Sequence, residues 1–280
     1  MSSDFSYTRN ETLLNISNVS LTLGGKLILD KVNAKIDNLK RPGVEQGQVV
    51  GFLGPSGIGK TQLSRIIAGL QQPTSGTITI TDKAIPVRRG MVGYVPQDYR
   101  VFPHRTVLSN LIVAARKRRR GGGVTYNMAK AAARDYLKRF DLLDHADKYP
   151  SQLSGGQRQR LSIAQQLLCS EYYIVMDEPF SGLDVKNLRR VLKDINKVSL
   201  SHEHMTIIIV THDVTAALSA ADTIWLMGRR RDPEGEVLPG SYIVDTIDTI
   251  ERNLAWHPEV HKQPGFHELV DEIKDRFEVL

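Results

Sequence analysis

The sequence predicts an α/β fold: a mainly parallel sheet wrapped by helices, preceded by an antiparallel β-layer and interrupted by a helical subdomain. Three observations carry this. The apolar run Val49-Val50-Gly51-Phe52-Leu53 leads into a glycine-rich loop, and Leu63, Ile66, Ile67 and Leu70 follow at helical spacing. Strand-like runs at Tyr172–Met176, Ile207–Val210 and Thr223–Met227 alternate with helical segments, the pattern of a parallel sheet with crossover helices. From Thr106 to about Leu143 the character is helical, with Leu108, Leu111 and Ile112, then Ala132, Tyr136, Leu137 and Phe140, on apolar faces.

Element by element, Ile16, Val19, Leu21 and Leu23 read as a strand that turns at Gly24-Gly25 and resumes at Leu27-Ile28-Leu29. Asp37 to Gly47, with Arg41-Pro42-Gly43 inside it, reads as an exposed turn. Pro73-Thr74-Ser75-Gly76 forms a turn before the alternating strand Thr77-Ile78-Thr79-Ile80. The last forty residues predict a strand near Tyr242–Val244 and a polar helix ending near Phe277. The expected organisation is one domain over 13–230, with its helical subdomain at about 100–165, and a C-terminal extension over 231–280.

With 41% hydrophobic and 24% charged residues among 280, the composition is that of a globular protein with a substantial core. One cysteine, Cys169, excludes an internal disulfide and suits a reducing compartment; its neighbours Leu167, Leu168 and Tyr172 mark it as a small core residue. The polar start Met1-Ser2-Ser3-Asp4 predicts no signal peptide. Apolar runs such as Ile207–Val210 fall far short of the ~18 residues a membrane span needs. The net charge is +6, from 37 basic and 31 acidic residues. Much of the excess sits in Arg116-Lys117-Arg118-Arg119-Arg120, ahead of Gly121 to Gly123, and in Arg229-Arg230-Arg231. These are solvated faces beside a linker, or contacts for anionic lipid headgroups worth about 1 kcal/mol per residue. Nucleic acid is not an expected partner, because no aromatic residues interleave with the charges.

Three motifs carry chemistry. Gly54-Pro55-Ser56-Gly57-Ile58-Gly59-Lys60-Thr61 satisfies G-x-x-x-x-G-K-[ST] between a buried strand and a helix, the context of a phosphate-binding loop and hence of a P-loop NTPase core. Its backbone N–H groups cradle phosphate, Lys60 reaches the β- and γ-phosphates, and Thr61 offers a hydroxyl to Mg²⁺. Gln62 follows in the first helical turn. Next, the buried run Tyr173–Met176 delivers Asp177 and Glu178 at its C-terminal end, where ligands bind in open α/β sheets. Asp177 is placed for the Mg²⁺ shell and Glu178 for an attacking water, as general base. Finally, Leu153-Ser154-Gly155-Gly156-Gln157 opens a helix with a hydroxyl and glycine N–H groups, a second phosphate site in a chain that needs only one.

With this third motif the chain resembles the ATP-binding-cassette ATPases, whose signature loop reads LSGGQ. The resemblance covers roughly residues 13–230 and implies that Ser154, Gly155, Gly156 and Gln157 cover ATP held by an opposing subunit. A head-to-tail dimer with two shared ATP is implied, either a homodimer or a related heterodimer. Further matches follow in order. Gln97 in Val95-Pro96-Gln97-Asp98 corresponds to the glutamine that touches Mg²⁺ and senses a transmembrane partner. Asp184 in Ser181-Gly182-Leu183-Asp184 corresponds to the loop that crosses the dimer. His212 in Thr211-His212-Asp213 corresponds to the histidine that contacts γ-phosphate.

Val101-Phe102-Pro103-His104-Arg105-Thr106-Val107 resembles the importer segment that lines the groove for a membrane subunit, so a separate transmembrane permease is implied. The chain is then expected as a peripheral protein on the cytoplasmic face of the inner membrane. Two positions depart from the family pattern. Leu23 stands where an aromatic residue usually stacks on adenine, and Gln165 follows Ala164 where arginine is common. The competing class is a soluble mechanical ATPase. Only 93 positions separate Lys60 from Leu153, too few for the long coiled coil of chromosome-maintenance relatives. An iron–sulfur assembly ATPase has a suitable length, but its signature usually continues with Glu and Lys in place of Gln157-Arg158.

Overall fold

A computed structural model describes residues 6–44, 46–81, 83–117, 123–170, 172–200, 202–257 and 259–279. Arg118, Arg119, Arg120, Gly121 and Gly122 of the basic run lie outside the described residues.

Strands β1 (Thr8–Leu23) and β2 (Lys26–Lys40) form an antiparallel hairpin. It turns at Gly24 and Gly25, whose φ angles of 55° and 76° carry no penalty without a Cβ. Both strands run longer than the expected segments, and Asp37–Lys40, expected in a turn, belongs to β2. The chain turns at Pro42-Gly43 instead, closed by an Arg41–Val44 bridge. Strand β3 (Gln48–Leu53) is buried at every position and feeds the phosphate loop, which opens helix α1 (Lys60–Ile67). Strands β4 (Ser75–Ile80), β5 (Ile85–Pro86) and β6 (Gly93–Val95) follow.

Helices α2 (Val107–Lys117), α3 (Tyr126–Arg139) and α4 (Gly155–Cys169) occupy the stretch expected to be helical. Thr125 caps α3, its hydroxyl accepting from Met128 N. The second half alternates strictly: β7 (Tyr173–Asp177), α5 (Val185–Ser199), β8 (Thr206–Thr211), α6 (Val214–Leu218) and β9 (Thr223–Arg231). Strand β10 (Val237–Asp248) and helix α7 (Pro264–Val279) end the chain.

Among the described residues all ten strands join one mixed sheet, ordered β5-β4-β1-β2-β10-β9-β3-β8-β7-β6. The strands β9-β3-β8-β7-β6 are mutually parallel, and the N-terminal hairpin with β4 and β5 is antiparallel. Alternating side chains on the parallel strands build two cores, because successive Cβ atoms point to opposite faces. Val49, Leu53, Ile174, Met176, Ile207 and Ile209 face helices α2 to α7. Val50, Phe52, Val175, Ile208, Val210 and Trp225 face α1 and the antiparallel strands. Each such buried aliphatic side chain stabilises the fold by about 1.5–3 kcal/mol.

The boundary expected at residue 230 falls inside β9. β10 lies between β2 and β9, joining the antiparallel and parallel halves, and Ile247, Phe266, Leu269 and Ile273 enter the helix-side core. The segment after 231 therefore shares the sheet and core of the preceding residues. Among the described residues no helix is long and apolar enough to cross a membrane.

Candidate active site

The parallel strands deliver their C-terminal ends to one edge of the sheet. There β3 releases the phosphate loop, β7 ends in Asp177 and Glu178, and β8 ends ahead of His212. Gly57 and Gly59 adopt φ of 77° and 100°, which other residues resist, so the loop can turn its N–H groups inward. A Cβ at Gly54 would stand 2.9 Å from Met227 O, and one at Gly59 3.2 Å from Ile28 Cγ2. The loop is thus sandwiched between β9 and the hairpin strand β2. Ile58 anchors it by burying its side chain in the hairpin-side core, while Ser56 and Gly57 stay exposed. Gly59 supplies no side-chain cap to α1, and the N–H groups of Gly59, Lys60 and Thr61 have no described acceptor. A helix N-terminus in that state is an anion site.

The Lys60 ammonium folds back onto its own loop, donating to Gly54 O at 2.7 Å and Pro55 O at 2.9 Å. Burial holds its pKa below the ordinary lysine value, partly offset by the nearby Glu178 and Asp177 carboxylates. Thr61 Oγ1 lies 3.5 Å from Asp177 Oδ1, and Tyr94 OH donates to Asp177 Oδ2 at 2.8 Å. Burial raises the Asp177 pKa, while the Tyr94 and Thr61 hydroxyls lower it again. Burial, with the carboxylate beside it, pushes the Tyr94 phenol up. Tyr94 reaches Asp177 from the adjacent strand β6 and had no signal in the sequence, because nothing local pairs residues 83 positions apart.

Both Glu178 oxygens have partners. Oε1 is 2.9 Å from His212 Nδ1, and Oε2 accepts from the Thr211 hydroxyl at 3.1 Å. With the carboxylate accepting, His212 carries its proton on Nδ1. Glu178 sits at φ 50°, a left-handed conformation costing about 1–3 kcal/mol in a residue with a side chain. Gln97 is exposed and donates from Nε2 to Ser181 Oγ at 3.1 Å, leaving its carbonyl oxygen available to the cleft. Thr61, Tyr94, Gln97 and Asp177 all line this cleft, of about 1310 Å³. Gln62 is half-buried in α1 beside them. Leu23 ends β1 at the hairpin tip with an exposed side chain.

The structure does not bring the remaining expected residues to this cleft. Ser154 caps α4: its hydroxyl accepts from Gln157 N at 3.3 Å, and Gln157 Oε1 accepts from Ser154 N at 2.8 Å. Gln157 Nε2 also lies 2.7 Å from His145 Nε2. Asp184 caps α5, accepting from Asn187 N at 2.8 Å. Ser154, Gly155, Gly156 and Gln157 line a separate hollow of about 600 Å³ with Ser181, Gly182 and Asn187. Within one chain the Ser154 loop and the Gly54–Thr61 loop, through Thr61, therefore line different hollows.

Residues 41–181 match the family model described as ABC transporter. The chain belongs to the ABC transporter family. The sulfate/thiosulfate import ATP-binding protein CysA of Bradyrhizobium diazoefficiens is 38% identical over 222 residues, covering 78% of this chain and 62% of that protein. The Pseudomonas aeruginosa counterpart is 37% identical, with 77% and 64% covered. The chain thus spans less than two thirds of the length of these relatives. The glutamine transport ATP-binding protein GlnQ of Bacillus subtilis is 37% identical over 219 residues, with 76% of this chain and 85% of that protein covered. Among solved structures, the ATP-binding cassette MJ0796, as a dimer in a post-hydrolysis state bound to ADP and Pi, superposes with a TM-score of 0.65 at 25% identity. That match covers 84% of this chain and 98% of the other.

Proposed function

We propose that this chain is the ATP-hydrolysing motor subunit of a membrane transporter. In this reading it dimerises head to tail around two ATP molecules and drives a separate transmembrane permease from the cytoplasmic face of the membrane. The observation that carries the reading is the shared sheet edge: uncapped α1 and Lys60 stand beside Asp177, Glu178 and His212, while the Ser154 loop lines a separate hollow. Two candidate phosphate-binding loops that line separate hollows of one chain fit a nucleotide held between two chains. The similarity to CysA and GlnQ, both ATP-binding proteins of transport systems, supports the same class over the soluble mechanical ATPase.

In the proposed reaction the phosphate loop and Lys60 hold the β- and γ-phosphates. Glu178 accepts a proton from the attacking water as the bond to the γ-phosphorus forms and the bond to the ADP oxygen breaks. His212 steadies the Glu178 carboxylate and presents its ring to the transferred phosphoryl group. The donors near Thr61 fit Mg²⁺: a hydroxyl, the Asp177 carboxylate and the Gln97 amide oxygen are hard ligands, too few to form an all-protein cage. Held by these residues, Mg²⁺ would supply charge neutralisation at the phosphates.

Permease docking is supported by the segment after Gln97. Buried Asn110 accepts from Phe102 N at 2.8 Å and donates to Phe102 O, Arg105 O and Thr106 O, fixing the loop while Phe102 remains exposed. Arg116, Lys117 and Arg229–Arg231 are candidates for anionic lipid contact at the same membrane. The partner is a second copy or a related subunit, and no contact with nucleic acid is expected. The test is Glu178→Gln. ATP should still bind, dimers should accumulate, and hydrolysis should fall at least ~100-fold. Continued rapid turnover would remove Glu178 from the role of base.

A further inference from the structure

The residue after Glu178 is Pro179, and its carbonyl is gripped from two directions. Gln159 Nε2, from α4, donates to Pro179 O at 2.9 Å, and Tyr99 OH donates to the same oxygen at 3.1 Å. Gln159 is 1% exposed. Its own Oε1 has no partner, so the grip on Pro179 is the one described hydrogen bond of that amide. Only the NH₂ end can face a carbonyl, which fixes the amide orientation. Tyr99 sits at φ 48° in a tight turn closed by its N–H on Pro96 O at 3.0 Å, two residues beyond Gln97. Gln159 lies five residues beyond Ser154 on the helix that Ser154 caps.

The backbone at Glu178 needs such a grip. A residue before proline is already restricted, and Glu178 additionally occupies the left-handed region. A strained conformation persists only where its surroundings over-determine it. On the N-terminal side Glu178 N donates to Val210 O at 2.8 Å. On the C-terminal side the proline ring fixes φ and has no N–H, so the carbonyl is the handle by which the next peptide is held.

We propose that Tyr99 and Gln159 are positioning residues for the hydrolysis step, holding the Glu178 carboxylate in place through the Pro179 carbonyl. They tie the base to the turn carrying Gln97 and to the helix behind the Ser154 loop. Both elements meet other chains in the function proposed above, on which this inference rests. Contact at either loop then reaches Glu178 through one hydrogen bond, without touching the nucleotide.

The test uses Tyr99→Phe and Gln159→Met, singly and together, with Glu178→Gln as reference, in steady-state hydrolysis and ATP binding by the full chain. Each single variant should lower kcat about five-fold, as expected for one lost hydrogen bond, with KM and ATP affinity within about two-fold. Because both donors share one acceptor, the double variant should lose more than the product of the single losses. Added to Glu178→Gln, Tyr99→Phe should leave the residual rate unchanged, since no base remains to be positioned. Full hydrolysis by Glu178→Gln overturns the assignment of the base, and the clamp with it. An inactive Glu178→Gln beside unchanged kcat in Tyr99→Phe overturns the clamp alone. A fall in kcat matched by an equal change in KM, or by an equal loss in the Glu178→Gln background, also overturns it. If Gln159→Met fails to fold, Tyr99→Phe still decides.

Discussion

Helices α1 and α4 both open on a glycine-containing loop, yet their N-termini are in opposite states. Gly59 leaves α1 uncapped, with free N–H groups and a buried lysine in the first turn. Ser154 and Gln157 close α4 with a reciprocal capping box whose loop is exposed. An uncapped helix end costs stability in the free chain, and that cost is recovered when an anion arrives. A capped end is content alone, and its serine must exchange its bond with Gln157 N before it can serve a phosphate. In the proposed function the first loop binds nucleotide by itself, and the second waits for a nucleotide carried by another chain.

Mutations that act on one helix and spare the other sharpen this contrast. Lys60→Ala should have the largest effect, lowering kcat/KM at least ~100-fold and weakening ATP binding to the isolated chain, measured by titration with nucleotide. Ser154→Ala should leave that binding unchanged while cutting hydrolysis ~10–100-fold. Loss of its cap should also destabilise the chain by about 1 kcal/mol in urea unfolding. Equal weakening of ATP binding by the two substitutions would break the contrast.

A pH series probes the strand that feeds α1. Asp222 accepts from Val49 N at 2.7 Å, at the start of β3, and burial pushes its pKa up to about 7. The folded state then holds that proton more tightly than the unfolded chain. The Asp222 contribution to stability should be complete below about pH 4 and be lost as pH rises to about 7, by at most ~1.4 kcal/mol per unit. Asp222→Asn keeps an acceptor for Val49 N and should flatten the slope; an unchanged slope assigns the titration elsewhere. The smallest expected effect lies at the hairpin over the loop. Leu23→Tyr should tighten ATP about five-fold, ~1 kcal/mol from base stacking, and should not alter the ATP-free chain.

The sequence announces what is encoded locally. Gly54–Thr61, Asp177-Glu178 and Leu153–Gln157 are read from neighbours in the chain, because a strand, a turn and a helix start each impose their own residue types. Long-range partners leave no such trace. Tyr94 reaches Asp177 only because β6 and β7 pair in parallel, and Tyr99 and Gln159 converge on Pro179 only through the fold. The same limit explains the C-terminal segment. A strand near Tyr242–Val244 was legible, but its place between β2 and β9 depends on pairing with Leu29 and with Met227 and its neighbours. The Asp37–Gly47 stretch read as a turn from its Arg41-Pro42-Gly43, yet Asn38 and Leu39 are buried in β2, and Leu39 packs with Ile250 and Ala255 of the segment after β10.

The central claim is that one site is completed by two chains, α1 from one and α4 from the other. It is tested most directly by mixing. In the Glu178→Gln background, chains carrying Lys60→Ala and chains carrying Ser154→Ala are examined with ATP by sedimentation, separately and in equal mixture. Each alone should stay monomeric. The mixture should form dimers, because the intact phosphate loop of one meets the intact Ser154 loop of the other. A mixture that remains monomeric, or Ser154→Ala chains that dimerise as readily as the parent, would contradict the account.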